Sequence, residues 1–155
     1  MDKQVEKERL ERLMDILPFN LNADLTLLKG HLLIEELLSE LLKVGLKHDN
    51  PLEINPNNMK FSAKLNMCWF LNRGKLPDSV WIYIKKLNSL RNSMAHEIEP
   101  KGIHEKINNF SQSVLIESKW EYGEYNDNHL LPAIVWLDVN LYSLLHKLNR
   151  LADTA

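Results

Sequence analysis

Residues 25–44 read LTLLKGHLLIEELLSELLKV, and this stretch decides the fold class. Its apolar residues cover most sides of a helix rather than one stripe. They are Leu27, Leu28, Leu32, Leu33, Ile34, Leu37, Leu38, Leu41 and Leu42. A helix that is apolar on most sides normally lies at the centre of a bundle or in an oligomer interface. We therefore predict a long helix from about Leu25 to Val44, with Asp24 as its N-cap.

Prolines divide the rest of the chain into segments, because proline is disfavoured inside helices. Helices are predicted over residues 2–16 (an N-terminal helix within 1–20), 60–72, 79–97, 102–116 and 130–151. A polar loop is predicted over 47–58, and an irregular segment or short hairpin over 117–128. The expected fold is all-α, an up-down bundle of about five to six helices. A length of 155 residues suits a single domain over residues 1–155.

Composition excludes several classes of protein. The apolar fraction of 45% and the charged fraction of 26% are those of a globular domain, not of a disordered chain. A net charge of −2 argues against a general polyanion binder, so any nucleic-acid contact needs a local basic patch. The charged N-terminus does not resemble a signal peptide, and no stretch of about 18 apolar residues predicts a membrane span. We expect a cytoplasmic protein that does not enter the membrane.

The predicted helix over residues 60–72 holds the only cysteine, Cys68. One cysteine excludes an internal disulfide and a multi-cysteine zinc site, and its apolar surroundings predict a buried small hydrophobe. The residues expected to face inward are Phe61, Leu65, Cys68, Trp69 and either Phe70 or Leu71. We expect Trp69, Trp81 and Trp136 to lie in the core or an interface, and Trp120, Tyr122 and Tyr125 to offer a partner surface.

The helix over residues 79–97 carries the strongest functional signal. At about 100° per residue, one stripe of this helix is short and polar. It contains Asn88, Ser89, Asn92 and His96. Arg91 falls instead within the apolar arc, where a guanidinium must pair with an acid, extend to solvent or face a cleft. The structural alternative is that Glu35 or Glu36 neutralises Arg91 and that His96 merely suits the helix C-terminus.

Local charge favours a phosphate-bearing partner for the same region. Between residues 60 and 92 the bases are Lys60, Lys64, Arg73, Lys75, Lys85, Lys86 and Arg91, and the only acid is Asp78. Such a basic field beside a histidine and a recessed arginine suits phosphate. The alternative is a solvated basic face, balanced by the acidic first and last segments of the chain.

The run Arg91-Asn92-Ser93-Met94-Ala95-His96 resembles the defining motif of the HEPN superfamily, an arginine that is often followed by a polar residue and, after four to six residues in all, by a histidine. Residues 27–38 are similar to the long early helix of compact HEPN proteins, with members related to the mannitol-operon repressor the most alike. The resemblance covers about residues 24–110. It implies a small helical bundle, commonly a homodimer, and for many members a metal-independent endoribonuclease of a toxin–antitoxin, phage-defence or RNA-guided system.

The resemblance also implies residue roles. Arg91 would hold the scissile phosphate, Asn92 would orient it, and His96 would transfer protons. The products would be a 2′,3′-cyclic phosphate and a 5′-hydroxyl, with no metal and no cofactor. Candidate RNA contacts on or near this helix are Lys85, Lys86, Asn88, Ser89 and Lys64.

One departure from the family concerns inhibition. HEPN toxins that are silenced by a nucleotidyltransferase antitoxin carry a tyrosine two residues after the motif histidine, and Ile98 stands here. An antitoxin or other regulatory protein would therefore act in another way, or no such inhibition applies. The fold also serves as a catalytically inactive interaction module or regulator, which is the alternative function.

Other patterns are weaker. His31 and Glu35 share a helix face, but no third ligand is nearby in the sequence, so an intrahelical pair or a contact with Arg91 is favoured over zinc. No glycine-rich phosphate loop and no serine nucleophile elbow occurs in the sequence.

Overall fold

The computed structural model describes residues 3–47, 49–96, 101–119 and 129–154. Six α-helices run through these residues: α1 (Lys3–Ile16), α2 (Ala23–Gly45), α3 (Phe61–Leu71), α4 (Asp78–His96), α5 (Ile103–Ser118) and α6 (Leu130–Thr154). A short 3₁₀ helix (Pro56–Asn58) precedes α3, and the described residues contain no strand. The predicted all-α helical bundle is therefore confirmed.

Helix α2 forms the centre of the bundle, as its apolar composition predicts. It packs most extensively on α6 and also contacts α3, α4 and the 3₁₀ helix. The leucines and the isoleucine of α2 are buried here, except for Leu25 and Leu32, which are exposed, and Leu28, which is half-buried. The apolar surface of α2 is thus largely covered within one chain.

The N-cap of α2 differs from the prediction. Helix α2 begins at Ala23, and Asn22 caps it by accepting a hydrogen bond from the backbone N–H of Leu25 at 2.8 Å. Asp24, the predicted cap, instead lies inside the first turn, where its negative charge suits the helix dipole.

Helix α3 is oriented differently from the prediction at its C-terminal end. Phe61, Leu65 and Cys68 are buried as expected, whereas Trp69, Phe70 and Leu71 are 41%, 59% and 51% exposed. Helix α3 packs on α2 and α4. Successive residues of a helix are about 100° apart, so the side that packs on these two helices cannot include apolar residues from every side of α3. The inward assignment of Trp69 and of Phe70 or Leu71 was therefore wrong.

Helix α1 is attached to α6 by a buried ion pair. Arg9 donates to both carboxylate oxygens of Asp138, at 2.7 and 2.6 Å, and lies over the ring of Tyr142. Both charged side chains are almost fully buried.

Several predictions fall on residues outside the described ranges. They include most of the predicted hairpin (residues 120–128), with Trp120, Tyr122 and Tyr125, and also Ile98. Helix α5 extends to Ser118, so the start of the predicted irregular segment is helical. Within the described ranges, no helix has the length and apolarity needed to cross a membrane.

Candidate functional site

Helix α4 carries the predicted motif at the surface of the bundle. Val80, Trp81, Ile84, Leu87 and Leu90 are buried and fix the inner side of this helix. The opposite side exposes Ile82 together with four polar residues, Lys85, Lys86, Ser89 and His96. The amphipathic pattern that sequence predicts for α4 therefore places these four residues in contact with solvent.

Arg91 is half-buried on the side of α4 that faces the interior. Its Nη1 donates a hydrogen bond of 3.3 Å to Asn92 Oδ1, so the first two motif residues are in contact. Its Nε is buried and has no hydrogen-bond partner among the described residues. The described residues thus satisfy this guanidinium only in part.

The acids proposed as partners of Arg91 bind other bases. Glu35 accepts a hydrogen bond from Lys64 Nζ at 2.9 Å, and Glu36 accepts from Arg12 at 2.8 Å. The alternative that Glu35 or Glu36 neutralises Arg91 is therefore not what the structure shows.

Lys64 does not belong to the exposed basic face. Its side chain is 5% exposed and its ammonium is paired with Glu35 beneath the surface. The prediction of Lys64 as an RNA contact is corrected for this reason, because reaching a phosphate would leave Glu35 without its cation.

His31 of α2 contacts Asn88 of α4, whereas Glu35, its predicted intrahelical partner, is bound by Lys64. The Nε2 atom of His31 lies 2.9 Å from Asn88 Oδ1, and the His31 ring stacks on Phe61 with centroids 4.3 Å apart. Because the amide oxygen of Asn88 accepts, Nε2 carries the proton and Nδ1 a lone pair, which has no partner among the described residues. Asn88, a predicted RNA contact, is thus half-buried with its oxygen engaged by His31.

The imidazole of His31 is held in its neutral form. Burial lowers the pKa of His31 below its ordinary value, the hydrogen bond with Asn88 opposes this, and the positive charge of Arg91 lowers it further. The negative charge of Glu35 acts in the other direction and raises the pKa of His31. The sequence signal for this cluster was a histidine on an otherwise apolar helix, but it does not show which helix faces it.

Arg91 and His96 are not brought together by one chain. They are five residues apart, or about 140° around α4, and Arg91 is half-buried while His96 is exposed. A ligand could contact both only across the edge of α4 or with the help of a second chain.

A groove of about 410 Å³ lies between α4 and α5. Its lining comes from both helices: Lys86, Ser89, Leu90, Ser93, Lys106, Asn109, Phe110 and Ser113. Two of these, Lys86 and Ser89, were predicted RNA contacts, whereas nothing in the sequence singled out the residues of α5. In the part of the chain that the structure describes, no group of three or more His, Cys, Asp or Glu side chains could hold a metal ion.

Comparison with protein-family models, with curated proteins and with solved structures gives no match. The likeness to HEPN proteins therefore rests on the residues quoted above.

Proposed function

We propose that the protein is a metal-independent endoribonuclease of the HEPN type, acting in the cytoplasm as part of a toxin–antitoxin or phage-defence system. The observation that carries the proposal is the state of Arg91. A half-buried guanidinium for which Glu35 and Glu36 supply no counter-charge is costly unless an anion completes it. The phosphodiester of RNA is such an anion, and arginine binds phosphate through two parallel hydrogen bonds.

The proposed reaction needs two proton transfers and one charge-stabilising group. The 2′-oxygen of the ribose attacks phosphorus as it loses its proton, and the bond from phosphorus to the 5′-oxygen breaks as that oxygen gains one. Histidine suits both transfers because it titrates near neutral pH, so His96 of one chain would act as base and His96 of the second as acid. Arg91 would stabilise the charge that develops on the phosphate, and Asn92 would orient it.

The proposed RNA contacts are revised by the structure. Lys85, Lys86 and Ser89 are exposed on the same helix as His96 and remain candidates for binding the backbone. Lys64 is removed because it is buried. Asn88 is reassigned to the support of the site through His31.

The proposed homodimer has a different basis from the one the sequence offered. The surface of α2 is mostly covered within the chain, so it supplies little for a second copy. Leu25 and Leu32 are the exposed leucines of α2, and further exposed apolar side chains lie on α3 and α4, where Trp69 and Ile82 line one groove of about 320 Å³. Monomeric proteins seldom expose clustered large apolar side chains, so this surface supports association.

The same exposed surface favours the second candidate function, a catalytically inactive HEPN-like interaction module or regulator. Such a module would use Trp69 and Ile82 to bind a protein, an antitoxin included, and would not need Arg91, Asn92 and His96 together. The two candidates therefore differ in whether the motif residues act on RNA.

The test is cleavage of single-stranded RNA by the purified protein in excess EDTA, with analysis of the product ends. The endoribonuclease should yield 2′,3′-cyclic phosphates, which resist phosphatase until acid opens the ring, and 5′-hydroxyls, which polynucleotide kinase labels directly. Arg91→Lys is a suitable variant, because it keeps the charge but loses the bidentate contact and should cleave more slowly. No cleavage, or cleavage only with added Mg²⁺, would favour the interaction module.

A further inference from the structure

The groove between α4 and α5 is suited to an anion. Lys86 stands on its α4 side and Lys106 on its α5 side, and none of the described residues that line it is acidic. Lys106 forms no ion pair with any described residue, and the ammonium of Lys86 lies 5.3 Å from the centre of the Tyr83 ring. Both cations therefore remain available to a ligand.

Short polar side chains between the two lysines can donate hydrogen bonds. Ser93 and Asn109 have no hydrogen-bond partner for their side chains among the described residues, and the hydroxyls of Ser89 and Ser113 donate only to the carbonyl oxygens one helical turn earlier. A hydroxyl proton of this kind can rotate towards a phosphate oxygen. The groove thus offers lysine, hydroxyl and amide donors from two helices.

The groove is longer than a single phosphate group and has an apolar floor. On each helix its lining spans eight residues, from Lys86 to Ser93 and from Lys106 to Ser113, so its ends are roughly 10 Å apart at 1.5 Å per residue step. The floor is formed by the buried side chains of Leu90 and Phe110. Charged rims above an apolar floor match a sugar–phosphate chain, whose phosphates are anionic and whose sugar and base faces are partly apolar.

The groove also leads to the predicted proton-transfer residue. Ser89 and His96 are seven residues apart, which places them on nearly the same face of α4, two turns from each other. Tyr83 links α4 to α5, because its hydroxyl donates a hydrogen bond of 3.1 Å to the backbone carbonyl oxygen of Ser113. A strand lying in the groove can therefore continue along α4 past His96.

We infer that the groove between α4 and α5 binds the sugar–phosphate backbone of a single RNA strand, through Lys86 and Lys106 at its rims and the serine and asparagine side chains between them. The inference rests on the proposed function for the identity of the strand. It adds a binding surface on α5 that extends away from the scissile bond.

The test is binding of a fluorescent 2′-O-methyl RNA oligonucleotide, which lacks the 2′-hydroxyl and cannot be cleaved by the proposed route. Anisotropy titrations at several salt concentrations would compare the protein with its Lys106→Glu and Lys101→Glu variants. Lys101 is exposed just before α5 and does not line the groove, so it is the matched control. Both side chains are exposed, and equal melting temperatures would confirm that both variants fold.

Lys106→Glu should raise the Kd of the oligonucleotide about tenfold and reduce the salt dependence of log Kd by about 0.7, the value for one lost phosphate contact on a single strand. Asn109→Asp should weaken binding in the same direction, whereas Lys101→Glu should not. Adenosine monophosphate should bind more weakly than the strand. Equal Kd values for the Lys106 and Lys101 variants, no binding by the unaltered protein, or equal affinity for the mononucleotide would overturn the inference.

The two proposals fail separately when this binding experiment is combined with the cleavage assay in excess EDTA. If the protein binds the oligonucleotide through Lys106 but cleaves no RNA, the inference about the groove stands and the proposed endoribonuclease is refuted. If the protein cleaves RNA and Lys106→Glu has no effect, the proposed endoribonuclease stands and the inference about the groove is refuted.

Discussion

At the scale of single residues, the cluster of His31, Asn88 and Phe61 joins three helices. His31 of α2 contacts Asn88 of α4 and stacks on Phe61 of α3. A polar contact of this kind has to be satisfied, because a buried donor without a partner costs about 1–3 kcal/mol. The cluster therefore fixes the side of α4 from which Arg91 projects.

Protonation of His31 should destabilise the fold. Because its folded pKa is lowered, the unfolded chain binds the proton more readily, so this contribution to stability is lost as pH falls below the ordinary value of 6.5. The unaltered protein should lose more unfolding free energy between about pH 7.5 and about pH 5 than His31→Gln does. Urea denaturation at the two pH values measures this difference. His104→Gln, at an exposed position of α5, should behave like the unaltered protein. Equal losses in all three proteins would contradict the neutral, buried state of His31.

The sequence predicted some of these residues well and others poorly, for a physical reason. Periodicity within α4 correctly assigned Ser89 and His96, which are exposed, to its polar stripe, since it depends on one helix alone. The surroundings of Lys64 and Arg91 depend on which side chains of α2 face them, and no pattern within one helix contains that information. Counting charges along the chain therefore assigned Lys64 to a basic face. In the structure Lys64 is paired with Glu35 and is not part of that face.

At the scale of elements, α2 and α6 approach each other closely at Gly30. A Cβ atom at this position would lie 2.9 Å from Cγ2 of Ile134, closer than ordinary contact. Ile134 is fully buried and β-branched, so it has little room to move. The glycine thus sets the spacing of the two central helices.

Gly30→Ala should destabilise the protein by about 1–3 kcal/mol, the usual cost of overpacking, although alanine favours helix by about 1 kcal/mol over glycine. Gly45→Ala is the matched control, because its Cβ would be 4.0 Å from Leu71, an ordinary contact. That variant should be as stable as the unaltered protein or slightly more so. Thermal and urea unfolding of both variants would show the difference, and equal stability of the two would refute the close crossing.

The attachment of α1 depends on one buried charge pair. Arg9→Ala leaves the carboxylate of Asp138 buried without its cation, and should cost about 3–5 kcal/mol of unfolding free energy. Arg12 lies on α1 as well, and Arg12→Ala removes its exposed ion pair with Glu36 of α2. This variant should lose less than about 1 kcal/mol of unfolding free energy. Urea denaturation of both variants measures the contrast. Similar small losses would mean that Arg9 does not anchor α1.

Most of the elements could be predicted because each has its own start signal and apolar pattern. The helices lie within a few residues of their predicted ranges. The exception in orientation is α3, where apolar residues occupy every side, so the pattern does not indicate which side faces the core. The wrong prediction that Trp69 and either Phe70 or Leu71 face inward follows from that ambiguity.

At the scale of the whole molecule, the exposed apolar surface of α3 and α4 bears on assembly. Ile82 is 53% exposed, and replacing it with aspartate should not disturb the core of the chain. If two copies associate through this surface, Ile82→Asp should convert a dimer to a monomer at micromolar concentration, as seen by light scattering. Leu151→Asp, at a 57% exposed position of α6, should remain dimeric. A monomer in the unaltered protein would contradict the proposed assembly.

The proposal that the α4 motif cleaves RNA is tested most directly by comparing the unaltered protein with His96→Ala in excess EDTA. The rate of cleavage of single-stranded RNA should fall by about 10²–10⁴-fold in the variant, the usual contribution of a general acid or base. The melting temperature should be unchanged, because His96 is exposed at the end of α4. Cleavage by His96→Ala at the rate of the unaltered protein would contradict the assignment of the motif as a nuclease centre.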